Sequence, residues 1–214
     1  MKIGTLFRYM FPPLGARKSR DLYKGDVVFA QAFGRNTFPD SSVFAVGVMF
    51  DEFEDDEKTL EWLKSHDFDP GIPNKEIAKV TKELMTRYFI PAVVQWEVAA
   101  AFDTEWYLQN KKRIVCIWPT KEQNTYFNTN EVITLSLQAA EKLGRSNPIE
   151  VAHKMQILRA ALIIKKLSGK FPLIPDDLPK SFDRKSFQWW TRTIWACLFR
   201  EIPVHIHHII TKRV

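Results

Sequence analysis

Pro91-Ala92-Val93-Val94-Gln95-Trp96-Glu97 decides how the rest of the chain is read. A proline stops what precedes it. Three apolar residues follow with no polar position between them, and the run ends on an amide, an indole and a carboxylate. A strand that is apolar at every position, rather than at every second one, is buried on both faces. Just before it, Pro73 and Asn74 open a helical pattern that sets Ile77, Val80, Leu84 and Tyr88 on one face and Lys75, Lys79 and Lys82 elsewhere.

The same alternation extends in both directions. Asp26-Val27-Val28-Phe29-Ala30-Gln31-Ala32, bounded by Gly25 and Gly34, reads as a buried strand. Arg113 to Trp118 reads as a third, stopped by Pro119, and Ile149-Glu150-Val151-Ala152 as a fourth. Phe171-Pro172-Leu173-Ile174 reads as a fifth, placed at an edge by its proline. Helices are expected from Glu97 to Gln109, from Phe127 to Leu143 before Gly144, and from Met155 to Leu167 before Gly169. Two closing helices are expected over Lys185 to Arg200 and Val204 to Lys212. Strands alternating with helices of this length predict an α/β domain with a mainly parallel sheet of about five strands and helices on both faces. The 214 residues are read as one domain, with residues 1–21 as a basic N-terminal arm packed on it.

Composition narrows the function classes. The apolar fraction is 45% and the charged fraction 26%, which excludes a disordered or collagen-like chain. Cys116 and Cys197 sit far apart inside apolar runs, so neither a disulfide framework nor a zinc site is expected. That usage fits a reducing compartment, and the expected location is cytoplasmic. No charge-free run reaches the ~18 residues of a membrane span. The net charge of +6 divides into two basic ends around an acidic run, Asp51-Glu52-Phe53-Glu54-Asp55-Asp56-Glu57. That run reads as an exposed loop entering a short helix. His205 and His208 share a helical face with only Glu201 beside them, so no metal site is expected. Phe187, Trp190, Ile194 and Cys197 repeat at helical spacing and read as a buried face. Nucleic-acid binding through that aromatic and basic segment is therefore not expected.

In parallel α/β sheets ligands bind beyond the carboxyl ends of the strands. The ends expected here are polar. Gln31, Gly34 and Asn36 follow the first strand, and Gln95-Trp96-Glu97 the second. Asn124-Thr125-Tyr126-Phe127-Asn128 follows the third, and His153 the fourth, with Arg159 further along the next helix. Asn124-Thr125 serves equally well as cap chemistry for a helix or as a ligand contact. Glu97 reads as a helix-start residue or as a general acid or base, and Arg159 as a surface ion pair or as an anion clamp.

The pattern Val27-Val28-Phe29-Ala30 with Gly34, then Pro91 to Glu97, then Asn124-Thr125-Tyr126-Phe127-Asn128, then Val151-Ala152-His153 with Arg159-Ala160, resembles the bacterial SanA/ElyC/YdcF family, a large family built on a domain of unknown function. The resemblance covers roughly residues 22–212. It implies a Rossmann-like three-layer fold and a pocket formed by Gln31, Gly34, Asn36, Gln95, Glu97, Asn124, Thr125, Asn128, His153 and Arg159. Some relatives are linked to maintenance of the cell envelope, and this chain resembles the soluble branch. It departs from the family in glycine. Only Gly34 remains where a glycine cluster follows the first strand, and Gln95-Trp96-Glu97 replaces a Ser-Gly-Gly-like turn. Bulky Phe33 and Trp96 are expected to narrow that pocket.

The expected function is binding of a small anionic ligand, nucleotide-like or phosphorylated. Glu97 is the first choice for acid–base chemistry, with His153 as its rival. Arg159, His153 and the helix start at Asn124-Thr125 would hold the anion. The alternative is a non-enzymatic interaction module using the basic termini and the acidic loop. Whether a bond is broken, which cofactor if any takes part, and the oligomeric state stay open at this level.

Overall fold

The computed structural model describes residues 19–34, 36, 58, 61, 68–118 and 127–210, with side chains for all of these except 19, 20, 202 and 204–210. A 3-10 turn at Ser19–Lys24 leads into strand β1, Val27–Ala30. Helix α1, Ile72–Tyr88, is followed by β2, Ala92–Gln95, and by two short helices, α2 at Trp96–Ala99 and α3 at Thr104–Asn110. Strand β3, Ile114–Ile117, precedes helix α4, Thr129–Lys142. Strand β4, Pro148–Val151, precedes α5, Ile157–Ser168. A 3-10 turn at Trp189–Thr191 leads into α6, Ile194–Ile210.

The four strands form one parallel sheet in the order β3-β2-β1-β4. Residues in β1, β2 and β4 are buried at every position, as the unbroken apolar runs require. Alternate residues serve opposite faces. Val27 and Phe29 pack with Val132, Ile133, Ala160 and Ile164 of α4 and α5. Val28 and Ala30 pack with Ile77, Ala78 and Met85 of α1 on the other side. Helices therefore cover both faces. The chain runs outward from β1 through β2 to β3, then crosses back to add β4 on the far side of β1. The order reverses between β1 and β4, and the ligand-side crevice of such a sheet opens at that point.

Four expectations need correction. Among the described residues the sheet has four strands, not five. The Phe171 to Ile174 segment makes a single parallel bridge, Ile149 with Leu173, closed by Leu173 N–H donating to Pro148 O at 2.9 Å and Glu150 N–H donating to Leu173 O at 2.8 Å. Pro172 has no N–H to extend the ladder. The helix expected from Glu97 to Gln109 is two helices, because Asp103 caps a new start by accepting from Trp106 N–H at 3.0 Å. The two closing helices are one helix, α6, with Pro203 inside it and exposed. Residues 185–193 form only a 3-10 turn, so the stripe expected to be buried does not exist. Cys197 is buried, but Phe187 and Ile194 are exposed. The acidic run 51–57 and most of the basic arm lie outside the described residues.

Candidate functional site

The loop after β1 is fixed from both sides by side chains. Gln31 N–H donates to Val151 O at 3.0 Å, which carries the β1–β4 ladder one residue further. Ala32 N–H donates to Gln95 Oε1 at 3.0 Å, and Phe33 N–H donates to Asn74 Oδ1 at 2.9 Å. The Asn74 amide in turn donates to Gly34 O and Pro70 O, both at 2.7 Å. Gln95 and Asn74 are buried, and together they occupy the two backbone donors that a glycine-rich phosphate loop would leave open. Gly34 holds φ at 70°, and a Cβ there would stand 2.4 Å from Thr191 Oγ1 and 2.7 Å from Ser186 Oγ. Gly34 thus lets the 3-10 turn approach the backbone closely.

Asn36 holds the far end of the loop. Its amide donates to Asp69 Oδ2 at 2.8 Å and to Asp183 Oδ2 at 3.2 Å. Asp69 lies below the ordinary carboxylate pKa because Lys75 and the Gly71 N–H favour its charged form, an effect that outweighs its partial burial.

Behind the loop lies a layer of buried titratable groups. Gln31 donates through Nε2 to Glu150 Oε1 at 2.6 Å. Glu150 is completely buried inside β4, and burial raises its pKa well above the ordinary value, with the Gln31 hydrogen bond opposing only part of that rise. His153 is also buried, stacked on Phe33 at 3.8 Å and edge-on to Phe182 at 4.9 Å. Its Nδ1 accepts from Met155 N–H at 3.3 Å. Desolvation lowers its pKa to about 4 against weaker opposing effects from the Lys180 and Ser181 backbone and the Glu76 charge, so the ring is neutral near pH 7. Glu97 is buried in the first turn of α2.

In front of the loop a cleft of about 440 Å³ opens at the β1/β4 switch point. Gly34 and Phe33 form its floor, Asn128 to Asn130 one wall, Gln156 and Arg159 of α5 a second, and Gln188, Trp190, Thr191, Arg200 and Glu201 the third. Helix α4 enters here through a capping box: Asn128 Oδ1 accepts from Glu131 N–H at 3.0 Å, while Glu131 Oε2 accepts from Asn128 N–H at 2.9 Å. The amides of Thr129 and Asn130, which a helix start leaves without intrahelical partners, belong to the same wall. Three buried polar atoms on the lining residues have no partner among the described residues: Gln156 Oε1, Gln188 Oε1 and Arg159 Nε.

The structure thus separates the expected site residues. Gly34, Asn128 and Arg159 line the cleft. Gln31, Asn36, Gln95, Glu97 and His153 are buried and are not part of its lining. Asn124 and Thr125 lie outside the described residues, and the side chain that caps α4 is that of Asn128. Arg159 is neither a surface pair nor an open clamp, because one terminal nitrogen meets Glu201 Oε1 at 2.8 Å and Oε2 at 2.9 Å in a largely buried setting. Phe33 lines the cleft, whereas Trp96 is not part of its lining and packs against Phe68 and Trp118. Asn74, Glu150, Gln156, Gln188 and Glu201 were not anticipated as site residues. The buried acid in an otherwise apolar strand, Glu150, was the one visible signal among them.

Among the described residues no group of three His, Cys, Asp or Glu side chains is placed to hold a metal ion, and no helix is long and apolar enough to cross a membrane. Comparison with protein-family models finds no match, and comparisons with curated proteins and with solved structures find none either.

Proposed function

We propose that this chain binds a small anionic molecule, nucleotide-like or phosphorylated, in the cleft at the β1/β4 switch point. One observation carries the reading. Gln156 Oε1, Gln188 Oε1 and Arg159 Nε are buried polar atoms without partners among the described residues, and all three belong to residues lining one cavity. Unpaired buried polar groups cost about 1–3 kcal/mol each, and a ligand that pairs with them recovers that cost. The two amide oxygens suit hydroxyl or amine donors. The N–H groups at the start of α4, with Arg200 and Arg159 nearby, suit an anion. The volume of about 440 Å³ lies within the range of small-molecule sites.

On the same reading the sheet is Rossmann-like, and the chain is a divergent relative of the SanA/ElyC/YdcF family with a role linked to the cell envelope. The strand order with its switch point beside β1 supports the first part, and the sequence motifs support the second. The divergence has a physical form: Gln95 and Asn74 take up the loop amides, which moves anion recognition from the β1 loop to α4, α5 and α6. Neither Glu97 nor His153 lines the cleft, which supports binding rather than acid–base chemistry there.

A thermal-shift screen of nucleotides, sugar nucleotides and phosphate esters tests this. At least one compound stabilises the wild type, and the shift disappears in Gln156→Leu. A screen with no stabilising compound, or a shift unchanged in Gln156→Leu, rejects the proposal.

A further inference from the structure

Residues 184–200, Arg-Lys-Ser-Phe-Gln-Trp-Trp-Thr-Arg-Thr-Ile-Trp-Ala-Cys-Leu-Phe-Arg, contain four basic residues and no acid. Phe187, Trp189, Ile194, Trp195 and Phe199 are exposed, Trp195 at 73% and Phe199 at 79%. Arg184, Lys185 and Arg192 are exposed beside them. Helix α6 is held to the domain by buried Cys197 and by the Glu201–Arg159 pair. Trp195 and Phe199, four residues apart, share a helical face turned away from Cys197. A surface helix ordinarily carries charged residues opposite its buried stripe. Here that position is aromatic, and the flanking charge is all positive.

We propose that this surface docks on the interface of an anionic lipid membrane. The occupant must bury bulky apolar side chains and at the same time supply negative charge to Arg184, Lys185 and Arg192. A bilayer interface does both: rings and aliphatic groups enter the headgroup and acyl boundary while lipid phosphates meet the cations. Single-stranded nucleic acid would supply phosphates and stack on the rings, but it offers nothing to Ile194, which has no π-face. The 17 residues of α6 span roughly 25 Å, so the helix lies along the surface rather than through it.

The test is co-sedimentation of the full chain with phosphatidylcholine vesicles, with and without about 30% phosphatidylglycerol. The protein sediments with the anionic vesicles and much less with the neutral ones. Trp195→Ala with Phe199→Ala lowers partitioning about tenfold, and Arg184→Gln with Lys185→Gln lowers it several-fold. Both double variants melt as the wild type does, because the altered side chains are exposed. Gln188→Leu, which alters the cleft, leaves vesicle binding unchanged, so the two proposals stand or fall separately. No sedimentation with anionic vesicles overturns the proposal. So does sedimentation that ignores the Trp195 and Phe199 changes, or a surface that binds single-stranded DNA in preference to vesicles.

Discussion

One terminal nitrogen of Arg159 meets both carboxylate oxygens of Glu201, at 2.8 and 2.9 Å, and this contact ties α5 to α6 along one wall of the cleft. Both side chains are largely buried, so each charge depends on the other to offset its lost hydration. Glu201→Gln leaves the Arg159 charge only partly answered. The expected loss of stability is about 2–3 kcal/mol, read as a lower urea midpoint. The same change removes the carboxylate that competes for Arg159, so any anionic ligand of the cleft binds about tenfold more tightly to the variant.

The β1 loop is set by contacts that a methyl group would break. Gly34→Ala places a Cβ 2.4 Å from Thr191 Oγ1 at a positive φ and is expected to cost about 2–4 kcal/mol. Asn74→Ala leaves Phe33 N–H, Gly34 O and Pro70 O without their buried partner and costs a similar amount, about 2–4 kcal/mol. Thermal melting of the two variants checks both values. An Asn74→Ala melt within about 1 °C of wild type would show that the amide does not brace the loop.

Two buried titrating groups give stability opposite dependences on pH. Glu150 holds its proton more tightly in the folded state, so its contribution falls as pH rises above the ordinary value of 4.5. His153 holds its proton less tightly when folded, at about 4 against 6.5. Its contribution is therefore complete above pH 6.5 and lost as pH falls toward 4, a change of about 3 kcal/mol. Urea midpoints measured across this range show the separation. Glu150→Gln removes the decline on the alkaline side, and His153→Leu removes the decline on the acid side.

The elements legible in the sequence are those whose residues answer to one constraint. Val27–Ala30 and Ala92–Val94 are apolar at every position because both faces of a parallel sheet are covered. Gly169 ends α5 in the left-handed conformation, as its position implied. Long-range geometry is what stayed hidden. Phe187, Trp190, Ile194 and Cys197 keep helical spacing across a segment that is not one helix, and spacing alone cannot report where Thr193 starts a new one. Arg159 looked open because Glu201 lies 42 residues away. Nothing local in the sequence says that the Gln156 and Gln188 amides will be buried with an oxygen unpartnered among the described residues.

Those two amides give a prediction that separates a ligand role from a structural one. A buried acceptor without a partner destabilises the free protein, so Gln188→Leu is expected to raise stability by about 1 kcal/mol, or roughly 2–4 °C. Ligand binding falls in the same variant. A purely structural glutamine would lower stability when lost.

Binding of an anionic small molecule in the switch-point cleft, as proposed, is open to a direct test. Backbone amide NMR of the labelled protein titrated with inorganic phosphate, AMP and UDP-glucose addresses it residue by residue. Saturable shifts are expected at Ala32 to Gly34, Asn128 to Asn130 and Gln188 to Thr191 with at least one of these probes. Amides that do not move with any of the three, or shifts confined to residues away from this cleft, would contradict it.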